Sequence, residues 1–134
     1  MYDDIAEFRG FYQTSLGRRV SNLIRRQLCG FWRGGPSLSS ACLGYGFPFV
    51  DKTMTLLAFM PARRGAIIWP SASSVRRCLI EPDVLPLPEV HLDRLLLVHA
   101  LEFEHDPGRV LNECWRVLDG AGQLMVVVPN RRGL

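Results

Sequence analysis

Two short segments of this chain carry residue types with chemical capacity, and each directly follows an apolar run. Gly44-Tyr45-Gly46 comes after Leu38 to Leu43. Glycine has no Cβ, so the backbone there can approach a ligand closely, although the same pattern also serves as an ordinary strand-to-helix turn. His99 and Glu102 come after Arg94 to Val98. An imidazole titrates near neutrality, which suits a general base, but a histidine in this position is expected first as a hydrogen-bonded, partly buried side chain. Cys29, Cys42, Cys78 and Cys114 form no C-x-x-C pair and have no histidine at metal-ligand spacing. No metal site is therefore expected, and the thiols read as reduced and buried. Every basic residue except Lys52 is an arginine, many of them paired: Arg18-Arg19, Arg25-Arg26, Arg63-Arg64, Arg76-Arg77 and Arg131-Arg132. The formal charge is only +3 and the pairs are scattered. They read as solvated helix faces and element ends, against a nucleic-acid footprint.

Positioning these residues falls to a set of short elements. Asp3 and Asp4 can cap a helix with Ile5, Phe8 and Tyr12 along one side. Thr14 or Ser15 can cap a second, with Leu16, Val20, Leu23, Ile24 and Leu28 in one stripe and Gly30 at its end. After a Gly34-Gly35-Pro36 turn, the runs Leu38 to Leu43, Met54 to Met60, Arg77 to Ile80, Arg94 to Val98 and Gln123 to Val128 read as strands. Their apolar character is continuous, not alternating, which suits a parallel sheet covered on both faces. Pro107 to Leu118 reads as a helix capped by Asp106, with Val110, Leu111, Cys114, Trp115 and Leu118 facing inward, so the last two strands form a β-α-β unit. Only one or two helical turns fit around 47–53.

A chain of 134 residues that is 48% hydrophobic and 22% charged can bury one core. One domain is expected over 1–134, with N-terminal helices over 1–33 and a sheet core over 37–134. No apolar run is long enough to span a bilayer, and the acidic start Met1-Tyr2-Asp3-Asp4 lacks the pattern of a secretory signal. The expected compartment is the cytoplasm.

One stretch carries a resemblance: Leu85-Pro86-Leu87-Pro88, Leu92 through Glu102, Asp106-Pro107, Glu113, Trp115-Arg116-Val117-Leu118, Gly120, Gly122 and Val126 to Asn130. In order and spacing it resembles the second half of the nucleotide-binding core of class I S-adenosylmethionine-dependent methyltransferases of the type-11 kind. Leu43-Gly44-Tyr45-Gly46 stands in the place of the family's first glycine-rich loop, and Met60-Pro61-Ala62 to Trp69-Pro70 resembles one bacterial branch. The resemblance implies a three-layer, Rossmann-like α/β fold with a mostly parallel sheet. It also implies S-adenosylmethionine as cofactor, held by Gly44, Tyr45, Gly46, Met60, Glu81, Asp83, Val84, Leu85 and His99, with Glu81 receiving the adenine amino group. No catalytic residue and no methyl acceptor follow from it.

The sequence departs from the family at several points. Its second strand ends Phe59-Met60-Pro61 without a carboxylate for the ribose hydroxyls, Pro82 removes a backbone donor, and Phe103 stands where many relatives have histidine. The family sheet has seven strands and five are counted here. The expectation is therefore a sheet lacking its C-terminal strands, with Leu124 to Val128 at an edge, associating as a homodimer or with a partner chain. The alternative to an enzyme is a cofactor-free, methyltransferase-like module for protein interaction.

Overall fold

A computed structural model describes residues 4–31, 38–46, 48–50, 56–61, 76–81, 84–102 and 104–130. Two helices, α1 (Asp4–Gln13) and α2 (Ser15–Phe31), precede a sheet of five strands: β1 (Ser40–Gly44), β2 (Leu57–Pro61), β3 (Arg76–Ile80), β4 (Leu92–Val98) and β5 (Leu118–Val127). A third helix, α3 (Pro107–Val117), links β4 to β5. Every strand pairing is parallel, and the order across the sheet is β3-β2-β1-β4-β5. This is the three-layer α/β arrangement expected from the continuous apolar runs. β1 and β4 are its centre, with Ala41, Cys42, Leu43 and Leu95 to Val98 fully buried. Both faces of a central parallel strand are covered, so neither has reason to alternate.

Successive side chains on β1 and β4 point to opposite faces and feed two separate cores. Cys42, Leu96 and Val98 pack with Tyr12, Leu28, Phe31, Tyr45 and Phe49 under α1 and α2. Ala41, Leu43, Leu95 and Leu97 pack with Leu85, Val110, Cys114 and Val117 under α3.

Several local expectations shift in register. On α2 the buried positions are Gly17, Ser21, Leu28 and Phe31, while Leu16 and Leu23 are exposed. The reason is Gly17: a Cβ there would lie 2.0 Å from the Phe11 carbonyl oxygen, so α1 and α2 meet at a corner that only glycine permits. That contact fixes which side of α2 faces inward. Thr14 caps α2 as expected, its Oγ1 accepting the Gly17 N–H at 3.0 Å, and the helix runs one residue past Gly30. On α3 the inward face is Val110, Cys114 and Val117; Leu111 is exposed, and Trp115 is 85% exposed. Asp106 stands at the N-cap without a side-chain capping bond. Cys42 and Cys114 are buried, but Cys29 and Cys78 are exposed, contrary to the expectation that all four are buried. Residues 34–36, 51–55, 62–75, 82–83, 103 and 131–134 lie outside the described set, and with them the Gly-Gly-Pro turn, Asp83, Phe103 and the Arg63-Arg64 and Arg131-Arg132 pairs.

Candidate functional site

The chain proceeds from β1 outward through β2 to β3, then crosses back to β4 and β5 on the other side. Connections leaving β1 and β4 in opposite directions open a crevice at their carboxyl ends, where ligands of such sheets collect. Backbone bonds fix this point. The Tyr45 N–H donates to the Val98 carbonyl at 2.8 Å, and the His99 N–H donates to the Val127 carbonyl at 2.9 Å. Gly44 adopts φ +99, and a Cβ on it would lie 2.1 Å from the Val98 carbonyl oxygen. The glycine is therefore required by the closeness of β4 itself, before any ligand is considered. His99 also has positive φ, 51°, so β4 ends in a sharp reversal of the backbone.

Around His99 lies a cluster of rings. Phe8 stacks on the imidazole at 4.2 Å between centroids and 15° between planes, and on Tyr45 at 5.8 Å. Tyr12 stacks on Tyr45 at 5.9 Å and meets Phe49 edge-on at 5.6 Å. The Tyr12 hydroxyl is 2.7 Å from His99 Nε2, and His99 Nδ1 is 2.6 Å from Glu102 Oε1. Burial, reinforced by the charge of Glu102, pushes the Tyr12 phenol up to about 12. It therefore keeps its proton at neutral pH, and the His99 tautomer with hydrogen on Nδ1 would donate to Glu102 and accept from the phenol at Nε2. The second oxygen, Glu102 Oε2, is buried with no hydrogen-bond partner among the described residues.

Gly44, Tyr45, Gly46, Met60 and His99 lie on this side of the molecule, with Met60 buried in the same core as Tyr45. Glu81 and Val84 are exposed at the end of β3, beyond β2, bridged by a Val84 N–H to Glu81 carbonyl bond of 3.0 Å. Leu85 is buried on the α3 face, where its N–H donates to the Glu113 carboxylate and its carbonyl accepts from Arg116 Nη2 at 3.0 Å. Tyr12, expected on a packing face, contributes its hydroxyl here, and the one sign of this in the sequence is a hydroxyl amid an apolar stripe.

A family described as "Methyltransferase domain" matches residues 62–126. A Mycobacterium tuberculosis protein named "Probable S-adenosylmethionine-dependent methyltransferase" is 31% identical over 120 residues, 90% of this chain. In sequence and in fold the chain is similar to S-adenosylmethionine-dependent methyltransferases. It spans 40% of the length of that relative. A SAM-dependent methyltransferase from Thermotoga maritima superposes with a TM-score of 0.64 at 21% identity, over 96% of this chain and 59% of that one. The [4+2]-cyclase SpnF superposes with a TM-score of 0.66 at 17% identity, over 85% of this chain and 46% of that one. At these identities the likeness is one of fold, and fold alone does not fix chemistry. No described helix of the methyltransferase-like domain is long and apolar enough to cross a membrane.

Proposed function

We propose that this methyltransferase-like domain binds S-adenosylmethionine at the carboxyl ends of β1 and β4 and directs its methyl group to an acceptor there. The observation that carries the reading is Glu102 Oε2, a buried acceptor with no partner among the described residues, on the acid that holds His99 at the end of β4. Leaving such an atom unsatisfied costs about 1–3 kcal/mol, so the site calls for a donor, and the cofactor's ammonium and ribose hydroxyls are donors. Gly44, Tyr45 and Gly46 would hold the backbone side of the cofactor, Met60 the strand beside it, Glu81, Asp83, Val84 and Leu85 the adenine end, and His99 the reacting end. Bound there, the sulfonium supplies an electrophilic methyl group.

The protein's own contribution is placement. Glu102 fixes the imidazole through Nδ1, leaving His99 Nε2 as the atom that takes an acceptor's proton once the Tyr12 hydroxyl gives way. Phe8 covers one face of that imidazole, so loading includes a shift of α1. Calorimetric titration of the protein with S-adenosylmethionine and S-adenosylhomocysteine tests the reading. Saturable heats that strengthen in Phe8→Ala are expected; no binding by either variant up to about 1 mM overturns it.

That negative result leaves a cofactor-free interaction module. Two features favour it: β2 closes on Pro61 with no carboxylate, and the Leu85 N–H is already engaged by Glu113. In either case we propose association along β5, supported by its place at the sheet edge and the exposure of Leu124 and Val128. Sedimentation equilibrium at tens of micromolar is expected to give a dimer, and a monomer removes the proposal. Four free thiols support a reducing, cytoplasmic setting.

A further inference from the structure

Between α1, α2 and the end of β1 lies a hollow of about 340 Å³ whose charged lining, among the described residues, is arginine: Arg9, Arg18 and Arg25, with Asn22 and the rings of Tyr12 and Tyr45. Gln13, Ser21 and Pro48 also line it, and no described carboxylate does. The Arg25 Nε donates to the Pro48 carbonyl at 2.5 Å, which holds that guanidinium in place and leaves its terminal nitrogens to face other groups. Among the described residues no ion pair neutralises Arg9, Arg18 or Arg25. Three like charges around one cavity repel each other, and an anion seated among them turns that repulsion into attraction. Guanidinium groups present paired N–H donors that match the two oxygens of a carboxylate or a phosphate.

The hollow also adjoins the reacting end of the proposed site. Tyr12 and Tyr45 line it, and the Tyr12 hydroxyl bonds His99 Nε2 at 2.7 Å. A molecule anchored by its anionic end among the arginines would extend along these two rings towards the imidazole.

We propose that the Arg9–Arg18–Arg25 hollow binds the carboxylate or phosphate end of a small acidic methyl acceptor. Its assignment to the acceptor rests on the methyl-transfer reading; its capacity for anions does not. Neither the sequence resemblance nor the position of the glycine turn points to this hollow.

The test titrates the whole protein with inorganic phosphate and, separately, with citrate, following backbone amides by NMR, with and without saturating S-adenosylhomocysteine. Saturable shifts at Asn22 and Tyr45 are expected. The phosphate and citrate arms distinguish the two oxyanions by which binds more tightly. Arg9→Gln and Arg18→Gln are each expected to weaken binding about tenfold, and Arg19→Gln and Arg26→Gln, which neutralise α2 outside the hollow, to leave it unchanged. Thermal unfolding of the four variants establishes that each is folded. Equal weakening by all four reduces the effect to general charge and overturns the proposal. Displacement of the anion by S-adenosylhomocysteine assigns the hollow to the cofactor and also overturns it. Absence of saturation by either anion, while S-adenosylhomocysteine binds, removes this inference and leaves the methyl-transfer reading standing. Anion binding without any binding of S-adenosylhomocysteine removes the methyl-transfer reading, and the acceptor assignment with it.

Discussion

The two faces of the sheet are built from different materials. Under α3 the core is aliphatic apart from Phe59 and Cys114: Leu43, Leu85, Leu92, Leu95, Leu97, Val110 and Val117 fill most of it, closed at its rim by the Glu113–Arg116 pair gripping the backbone of Leu85. Under α1 and α2 it is aromatic, and it admits polar atoms: the Tyr12 hydroxyl, the His99 ring and Glu102 behind it. Aliphatic side chains fill space without imposing partners, so the interior of the α3 face serves to hold the sheet. Tyrosine and histidine carry an apolar body and a polar atom, so the opposite face can hold the sheet and still present chemistry at its rim. The methyltransferase-like domain thus has polar atoms within one core and next to none within the other.

The change expected to break both faces together is Gly44→Val. The new side chain meets the Val98 carbonyl at a position where φ is +99, and it pries apart the two central strands. Crowding and backbone strain together are expected to cost about 3 kcal/mol or more in urea unfolding. A variant with wild-type stability and lost ligand binding would instead mean that the glycine serves only the ligand.

Next in size is Glu113→Gln, which loosens the rim of the aliphatic face. The side-chain hydrogen bond from Arg116 holds the Glu113 carboxyl below the usual carboxylate range, assisted by the Leu85 N–H and opposed by burial. A depressed carboxyl contributes stability above its unfolded value of 4.5, and that contribution is lost as pH falls through the folded value. At pH 7 the substitution is expected to cost about 2 kcal/mol, with the gap from wild type closing as pH falls through the depressed folded value. A gap independent of pH removes the ion pair as its cause.

On the aromatic face Tyr12→Phe keeps the ring and deletes the donor to His99 Nε2. A loss of about 1 kcal/mol is expected, with ring-nitrogen NMR shifts showing a change in the tautomer balance of His99. Unchanged ring shifts would separate the phenol from the imidazole. The smallest effect is assigned to Trp115→Ala on the outer side of α3, expected within about 0.5 kcal/mol of wild type despite the size of the residue removed. A larger loss would place Trp115 in a buried contact.

What could be read from the sequence follows the same division. Continuous runs such as Leu95 to Val98 identify buried parallel strands because both faces demand apolar side chains, and the fold follows from their number and the β-α-β link. Helix facing was harder to read. Leu16 and Trp115 lie on apolar stripes yet face outward; for Leu16 the rotation of α2 is set by the Gly17 corner, a backbone contact that hydropathy does not register. Gly44, His99 and Glu102 are legible as strand-end residues because a glycine pair, a histidine and an acid follow apolar runs. Tyr12 as their partner is legible only in the fold, because 87 residues separate it from His99 and no spacing rule links them.

The Gly17 corner also bears on how quickly the site can be reached. A helix tied at its carboxyl end by an elbow with no space for a methyl group cannot swing about that joint as a rigid flap. Uncovering His99 then proceeds by unwinding of α1 from its amino-terminal turns, a helix-to-coil event of about a microsecond or less, in place of a slower domain rotation. Access on that timescale is far faster than a typical catalytic cycle. Entry past Phe8 would then be a rapid pre-equilibrium, scaling apparent affinity down by the fraction of time α1 is unwound while leaving turnover unlimited by opening.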